Sequence, residues 1–216
     1  MKKIMAFLLA VMMIFGCVAC GSGNENNTQP SIETESNIDN ENSQEAESSE
    51  METQPPVEIP IVDANEILTK VWENYNENEK FLVVGGHYSA YVDGAPAKYD
   101  ITQIADMEKV FCIPAETIAM VDDAASLQYA MNVNKFSAMA CHLKPEADMQ
   151  IVIDSIKNAT MNNQWIYGHP DRLIILTIGD EYFVTAFGDG EKIDAFLFKV
   201  LNAYENLAEL VIDQDL

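Results

Sequence analysis

From Gly21 to Pro60 the chain carries ten acidic residues and no lysine or arginine, and most of the rest is Asn, Ser, Thr and Gln. So polar a segment buries too little apolar surface to offset the entropy of ordering it. It reads as a disordered tether, and whatever folds must fold from Ile61 onward. Forty flexible residues span roughly 35 Å root-mean-square, and repulsion between like charges extends them further. Pro55, Pro56 and Pro60 mark the edge of the folded part. The 216 residues thus divide into a leader over 1–19, a tether over 20–60 and one domain over 61–216.

The leader begins with Lys2 and Lys3 and then runs apolar from Ile4 to Ala19. That is the form of an export signal, and it is shorter than the ~20 residues a bilayer-spanning helix needs. The run ends Cys17-Val18-Ala19-Cys20-Gly21-Ser22. Small residues before a cysteine form the pattern of a bacterial lipobox, in which the thiol receives diacylglycerol before the signal is cut away. Cys20, between Ala19 and Gly21, fits that pattern better than Cys17, which would leave Val18 and Ala19 on the mature chain. The expected product is a lipoprotein held at the outer face of the bacterial cytoplasmic membrane by two or three acyl chains, palmitate among them, anchored rather than spanning.

Cys17-x-x-Cys20 has redox spacing, but it lies in the signal and loses Cys17 on processing, so it is no thioredoxin site. Cys112 and Cys141 remain. An exported setting permits a disulfide between them without requiring one, and two separately buried small residues are the plainer reading.

With 12 Lys and Arg against 35 Asp and Glu, the formal charge is −23. Binding to nucleic acid requires cations that neutralise phosphates, so that class is set aside. The domain from Ile61 holds 25 acidic and ten basic residues, an excess of 15 negative charges independent of the tether. It should stand off an anionic membrane and favour cationic partners.

Asp63-Ala64-Asn65-Glu66 reads as a capping box, with Ile67, Leu68, Val71, Trp72 and Tyr75 following at helical spacing. Phe81 to Val84 reads as a buried strand stopped by Gly85-Gly86, followed by a loop-rich passage to Thr102 and a short helix over 101–111. The stretch 115–131 is ambiguous: Thr117 to Val121 suits a strand and Ala124 to Met131 a helix. Phe136 to Leu143 alternates as a strand. Pro145 opens a helix whose stripe is Met149, Val152, Ile153, Ile156 and Ala159. Leu173 to Ile178 and Glu181 to Phe187 form a hairpin across a two-residue turn at Gly179-Asp180. Ile193, Phe196, Leu197, Val200, Leu201 and Tyr204 then recur at the helix period. The order helix, strands, helix, hairpin, helix predicts an α+β domain, a largely antiparallel sheet with helices packed on one face.

No catalytic spacing is present, whether His-Glu-x-x-His, Gly-x-Ser-x-Gly, a Walker loop or a Cys-x-x-Cys within the domain, and no cofactor or metal is assigned. Cys141 and His142 are neighbours whose side chains point to opposite strand faces, so they cannot serve each other as nucleophile and base. Asp122-Asp123 and the group Asp180, Glu181, Asp189 and Glu191 offer hard oxygens, but turn formation and helix capping account for them more simply. Gln164 to Arg172 gathers Trp165, Tyr167, His169, Asp171 and the only arginine, Arg172, in one loop, the candidate ligand loop. The structural alternative has Trp165 and Tyr167 packed onto the sheet and Asp171 paired with Arg172.

Gly85-Gly86-His87-Tyr88-Ser89, Asp122-Asp123-Ala124-Ala125-Ser126-Leu127, Gln164-Trp165-Ile166-Tyr167-Gly168-His169-Pro170-Asp171 and Ala186-Phe187-Gly188 span the domain. In these segments the chain resembles an uncharacterised lipoprotein family of clostridial Firmicutes, some members of which carry the label bacteriocin transport accessory protein. The resemblance implies a compartment and no particular activity or functional residues. Thioredoxin-like accessory proteins carry Cys-x-x-Cys in the folded domain, and its absence here argues against a redox role. The expectation is a non-enzymatic binding or transport-accessory module whose partner is an envelope protein or a cationic peptide. The rivals are an envelope hydrolase assembled from scattered residues such as His87, Cys141, His169 and Asp171, and a purely structural spacer.

Overall fold

The computed structural model describes residues 60–216; the leader, Cys20 and the tether before Pro60 lie outside them. Helix α1, Ala64–Glu73, starts where the sequence predicts, because Asp63 Oδ1 accepts the N–H of Glu66 at 2.8 Å. Glu66 reaches back to the N–H of Val62, one residue earlier than a capping box would have it. Its buried stripe is Ala64, Ile67, Leu68, Val71 and Trp72.

Eight strands follow: β1 Val83–Gly85, β2 Val92–Asp93, β3 Ala97–Lys98, β4 Val121–Tyr129, β5 Phe136–Leu143, β6 Arg172–Ile178, β7 Tyr182–Gly188 and β8 Ala208–Asp215. They make one sheet in the order β2-β1-β4-β5-β7-β6-β8, with β3 also paired to β4, and every ladder is antiparallel. The remaining helices are α2 Ile104–Phe111, α3 Ala115–Ile118, α4 Met149–Met161 and α5 Gly190–Ala203. The fold is α+β on a fully antiparallel sheet.

The helices cover both faces of that sheet, not one. Leu127, Phe136, Ala138, Ile174, Leu176 and Val184 meet α1 and α5. Ala124, Met139, Cys141, Leu173, Ile175 and Phe183 meet α2, α3 and α4. β7 is buried at all seven positions. A strand sealed on both sides shows a continuous apolar run rather than alternation, so the second layer leaves no periodic mark in the sequence.

The ambiguous stretch resolves the opposite way from the alternatives read in it: 115–118 is helix α3 and 121–129 is strand β4. Ala124 and Ala125 favour helix intrinsically, yet both are fully buried in a strand between two helical layers, where packing overrides propensity. Helix α4 begins at Met149 rather than Pro145, because Asp148 Oδ1 accepts the N–H groups of Gln150 and Ile151 while Pro145 sits in the preceding turn. The β6–β7 turn has three residues, since Ile178 pairs with Tyr182. Strand β8 has little strand signal in the sequence, because Leu210, Val211 and Ile212 are only half-buried and lie between acidic residues.

β1 and β3 share one edge of β4, and Gly85 at the end of β1 lies tight against the backbone of residues 95–97. A Cβ there would stand 2.3 Å from the Ala97 nitrogen, a separation no side chain permits. Cys112 and Cys141 are both free and buried. Among the described residues no helix is long and apolar enough to cross a membrane.

Candidate functional site

The loop from Asn162 to Asp171 joins α4 to β6, and the β4–β5 connection, Ala130 to Lys135, pins it from alongside. Asn132 Nδ2 donates to the Tyr167 carbonyl at 3.0 Å, and Asn134 Nδ2 donates to the Gly168 carbonyl at 2.8 Å. Gly168 turns the chain with φ +101°, in the region that favours glycine. Trp165 is half-buried, with its ring 5.0 Å from Phe187 of β7 and 6.0 Å from His169. His169 Nδ1 donates to the Pro170 carbonyl at 2.8 Å, and Pro170 is buried.

This anchoring turns the tip outward. Ile166 is 78% and Tyr167 79% exposed. Asn132 is itself flanked by Met131, 72% exposed, and Val133, 36% exposed. Two loops bound to each other thus present four apolar side chains to solvent. Their backbones are tied by side-chain amides, so the display is set before any partner arrives.

Of the structural alternative only one part holds: Trp165 packs down on the sheet, and Tyr167 does not. Asp171 and Arg172 do not pair with each other. Asp171 Oδ2 accepts the N–H of Gly190 at the start of α5. Arg172 Nε and Nη2 grip Asp213 of β8 at 2.6 and 2.7 Å, and Nη1 donates to Asp194 of α5. Arg172 is therefore a clamp between three elements rather than a ligand-facing cation.

The scattered residues of the hydrolase reading do not converge. Cys141 is fully buried against the α4 layer, and burial pushes its thiol up. His142 faces the other way, bonded through Nδ1 to Asp122 at 2.5 Å, with its ring tilted against Tyr182 at 4.7 Å between centroids. His169 and Asp171 share the α4–β6 loop but point to different partners. His87 lies after β1, beside Asp106 of α2.

Three of the acidic residues considered as oxygen ligands are engaged elsewhere, beginning with Asp122, which bonds His142. Asp123 accepts the N–H of Ala64, and Asp189 pairs with Lys135 and Lys192. Six of the domain's ten basic side chains are engaged by carboxylates, so the surface field is dominated by the unpaired acids. Met131, Val133 and their two anchoring asparagines were missed by sequence reasoning. Their one signal is the run Met131-Asn132-Val133-Asn134, in which apolar residues alternate with turn-favouring asparagines just before the strand at Phe136. Compared with known proteins, the chain matches no family model, no curated protein and no solved structure.

Proposed function

We propose that this chain is an exported lipoprotein, anchored through Cys20, whose domain binds a cationic, amphipathic partner at the cell envelope, either a basic peptide or the basic face of a transporter. The observation that carries this reading is the pair Ile166 and Tyr167, exposed at the tip of a loop that Trp165, Asn132 and Asn134 hold in place. Rigid, exposed aromatics on a pinned loop have the character of binding hot spots. The excess of 15 negative charges supplies the sign of the partner. The lipobox-like junction and the resemblance to clostridial lipoproteins supply the compartment.

The test has two arms, using whatever the full chain captures from solubilised membranes. Association should weaken between about 50 and 500 mM salt, because exposed charges are screened beyond about 8 Å at physiological ionic strength. Tyr167→Ala should weaken it at least about tenfold at fixed salt, the loss of a hot-spot aromatic. A partner indifferent to both changes would overturn the reading. A partner indifferent to salt alone would overturn its electrostatic half.

A further inference from the structure

The turn after β1 carries a second arrangement, independent of the Tyr167 loop. His87 is 5% exposed. Its Nε2 lies 2.9 Å from Oδ2 of Asp106, in the first turn of α2, and its Nδ1 lies 2.9 Å from the hydroxyl of Ser89. A carboxylate only accepts, so the ring proton belongs on Nε2 and points at Asp106. Nδ1 is then a bare lone pair, and two donors meet it: the Ser89 hydroxyl and, at 3.5 Å, the Ser89 backbone N–H. Tyr88, 4.0 Å away between ring centroids, and Tyr99, edge-on at 5.5 Å, hold the imidazole in that pose.

Capping the short 3-10 turn over Tyr88–Ala90 needs only the Ser89 N–H; the hydroxyl and Asp106 are additional. What results is an exposed hydroxyl on the basic nitrogen of a buried imidazole oriented by a carboxylate, the relation by which a serine nucleophile is activated. Such constellations are recognised by geometry and role, not by sequence position, and here the carboxylate on Nε2 fixes the tautomer that leaves Nδ1 basic. The geometry points to Ser89 as a nucleophile toward acyl esters, with His87 as its general base and Asp106 as a positioning residue.

In acylation, Ser89 Oγ attacks the ester carbonyl carbon and its proton passes to His87 Nδ1. The ring, now protonated on both nitrogens, is stabilised by Asp106. Collapse of the tetrahedral adduct breaks the bond to the alkoxy group, which departs as the alcohol with that proton. Water then attacks the acyl-serine by the same route, releasing the carboxylic acid and restoring the hydroxyl. Tyr88, Tyr91 and Val92, at 67%, 51% and 44% exposure, lie within three residues of Ser89 along the chain and supply exposed apolar surface. Asp100 and Asp106 disfavour anions there. The substrate class is therefore a neutral or cationic ester with an apolar or aromatic group.

The probe is an alkyl fluorophosphonate, applied to the full chain in detergent micelles. Oγ forms a bond to phosphorus, the P–F bond breaks, and the hydroxyl proton leaves with fluoride. Mass spectrometry of the tryptic peptide from Phe81 to Lys98 reads the adduct on Ser89. General-base assistance typically contributes ~10²–10⁴-fold, so native Ser89 should react at least about 100-fold faster than Ser89 in the urea-unfolded chain. A smaller acceleration overturns the assignment, and this comparison stands whether or not any variant folds. Ser89→Ala, at an exposed position, should remove the adduct while leaving the circular dichroism spectrum unchanged. His87→Gln should slow labelling to the unfolded rate. Asp106→Asn should slow it and Asp106→Glu should restore part, a rescue that a purely structural role would not produce. Labelling that survives in a folded His87→Gln variant at the native rate would equally overturn the proposal.

Discussion

Arg172→Ala tests whether the chain's single arginine is a structural clamp. Removing it breaks the bidentate grip on Asp213 that fastens β8 to β6, and the bond to Asp194 on α5. Arg172 is 20% and Asp213 45% exposed, so solvent screens the pair. It then counts as a well-formed surface bridge, about 1 kcal/mol. Asp194 is 69% exposed and contributes about 0.3 kcal/mol. Lost packing of the aliphatic stem adds about 0.5 kcal/mol. The expected loss is about 1.8 kcal/mol, which for a domain of this size lowers Tm by about 4–7 °C. Thermal denaturation followed by circular dichroism on wild type, Arg172→Ala, Asp213→Asn and the double variant should give a coupling energy of about 1 kcal/mol.

The two N–H donors of Arg172 hold the Asp213 carboxyl below its ordinary value of 3.8. A carboxyl depressed in the folded state contributes stability above its unfolded pKa and loses it as pH falls through the folded one. The gap between wild type and Arg172→Ala should therefore be full at neutral pH and narrow below about pH 4. A coupling energy under about 0.3 kcal/mol, alongside an undiminished drop in Tm, would refute the reasoning and assign Arg172's contribution to packing alone.

Gly85→Ala should cost about 3 kcal/mol in a urea titration, because the new Cβ meets the backbone of Ala95, Pro96 and Ala97 rather than a movable side chain. It should also abolish the fast labelling of Ser89. Burial pushes the Cys112 thiol up to about 11 and raises that of Cys141 as well, so iodoacetamide at about pH 8 should modify neither until the domain unfolds. Modification of either thiol in the native protein would contradict the burial described. Mass spectrometry of the mature amino terminus should find acylated Cys20, and Cys20→Ala should leave the precursor unprocessed or release the protein. An unmodified terminus at any other residue would sink that expectation.

Legibility followed the number of covered faces. α1 and α5 each bury one stripe, so Ile67, Leu68, Val71 and Trp72, and again Ile193, Phe196 and Val200, carry the helical period openly. β4 is packed from both sides with short residues, and Ala124-Ala125-Ser126 has neither alternation nor β-branching to betray it. The candidate loop stood out by its composition. That Trp165 turns in while Tyr167 turns out was not readable, because the deciding bonds come from Asn132 and Asn134 on another connection. His87 was visible as a chemically able residue, but its partnership with Asp106 depends on how α2 docks beside the β1 turn.

The double covering of the sheet has a consequence for hydrogen exchange. Amides along β5, β6 and β7 lie between two helical layers, and each of these strands has partners on both edges. Solvent reaches such groups only when the layers part, so their exchange should proceed through global unfolding and report a single free energy for the whole domain. β2 and β3, two residues each, and the turn bearing Ser89 have no such cover and should exchange through local opening at lower cost. The protein then carries its own internal reference: slow central amides that register total stability, and fast ones that register motion where Ser89 would meet a substrate.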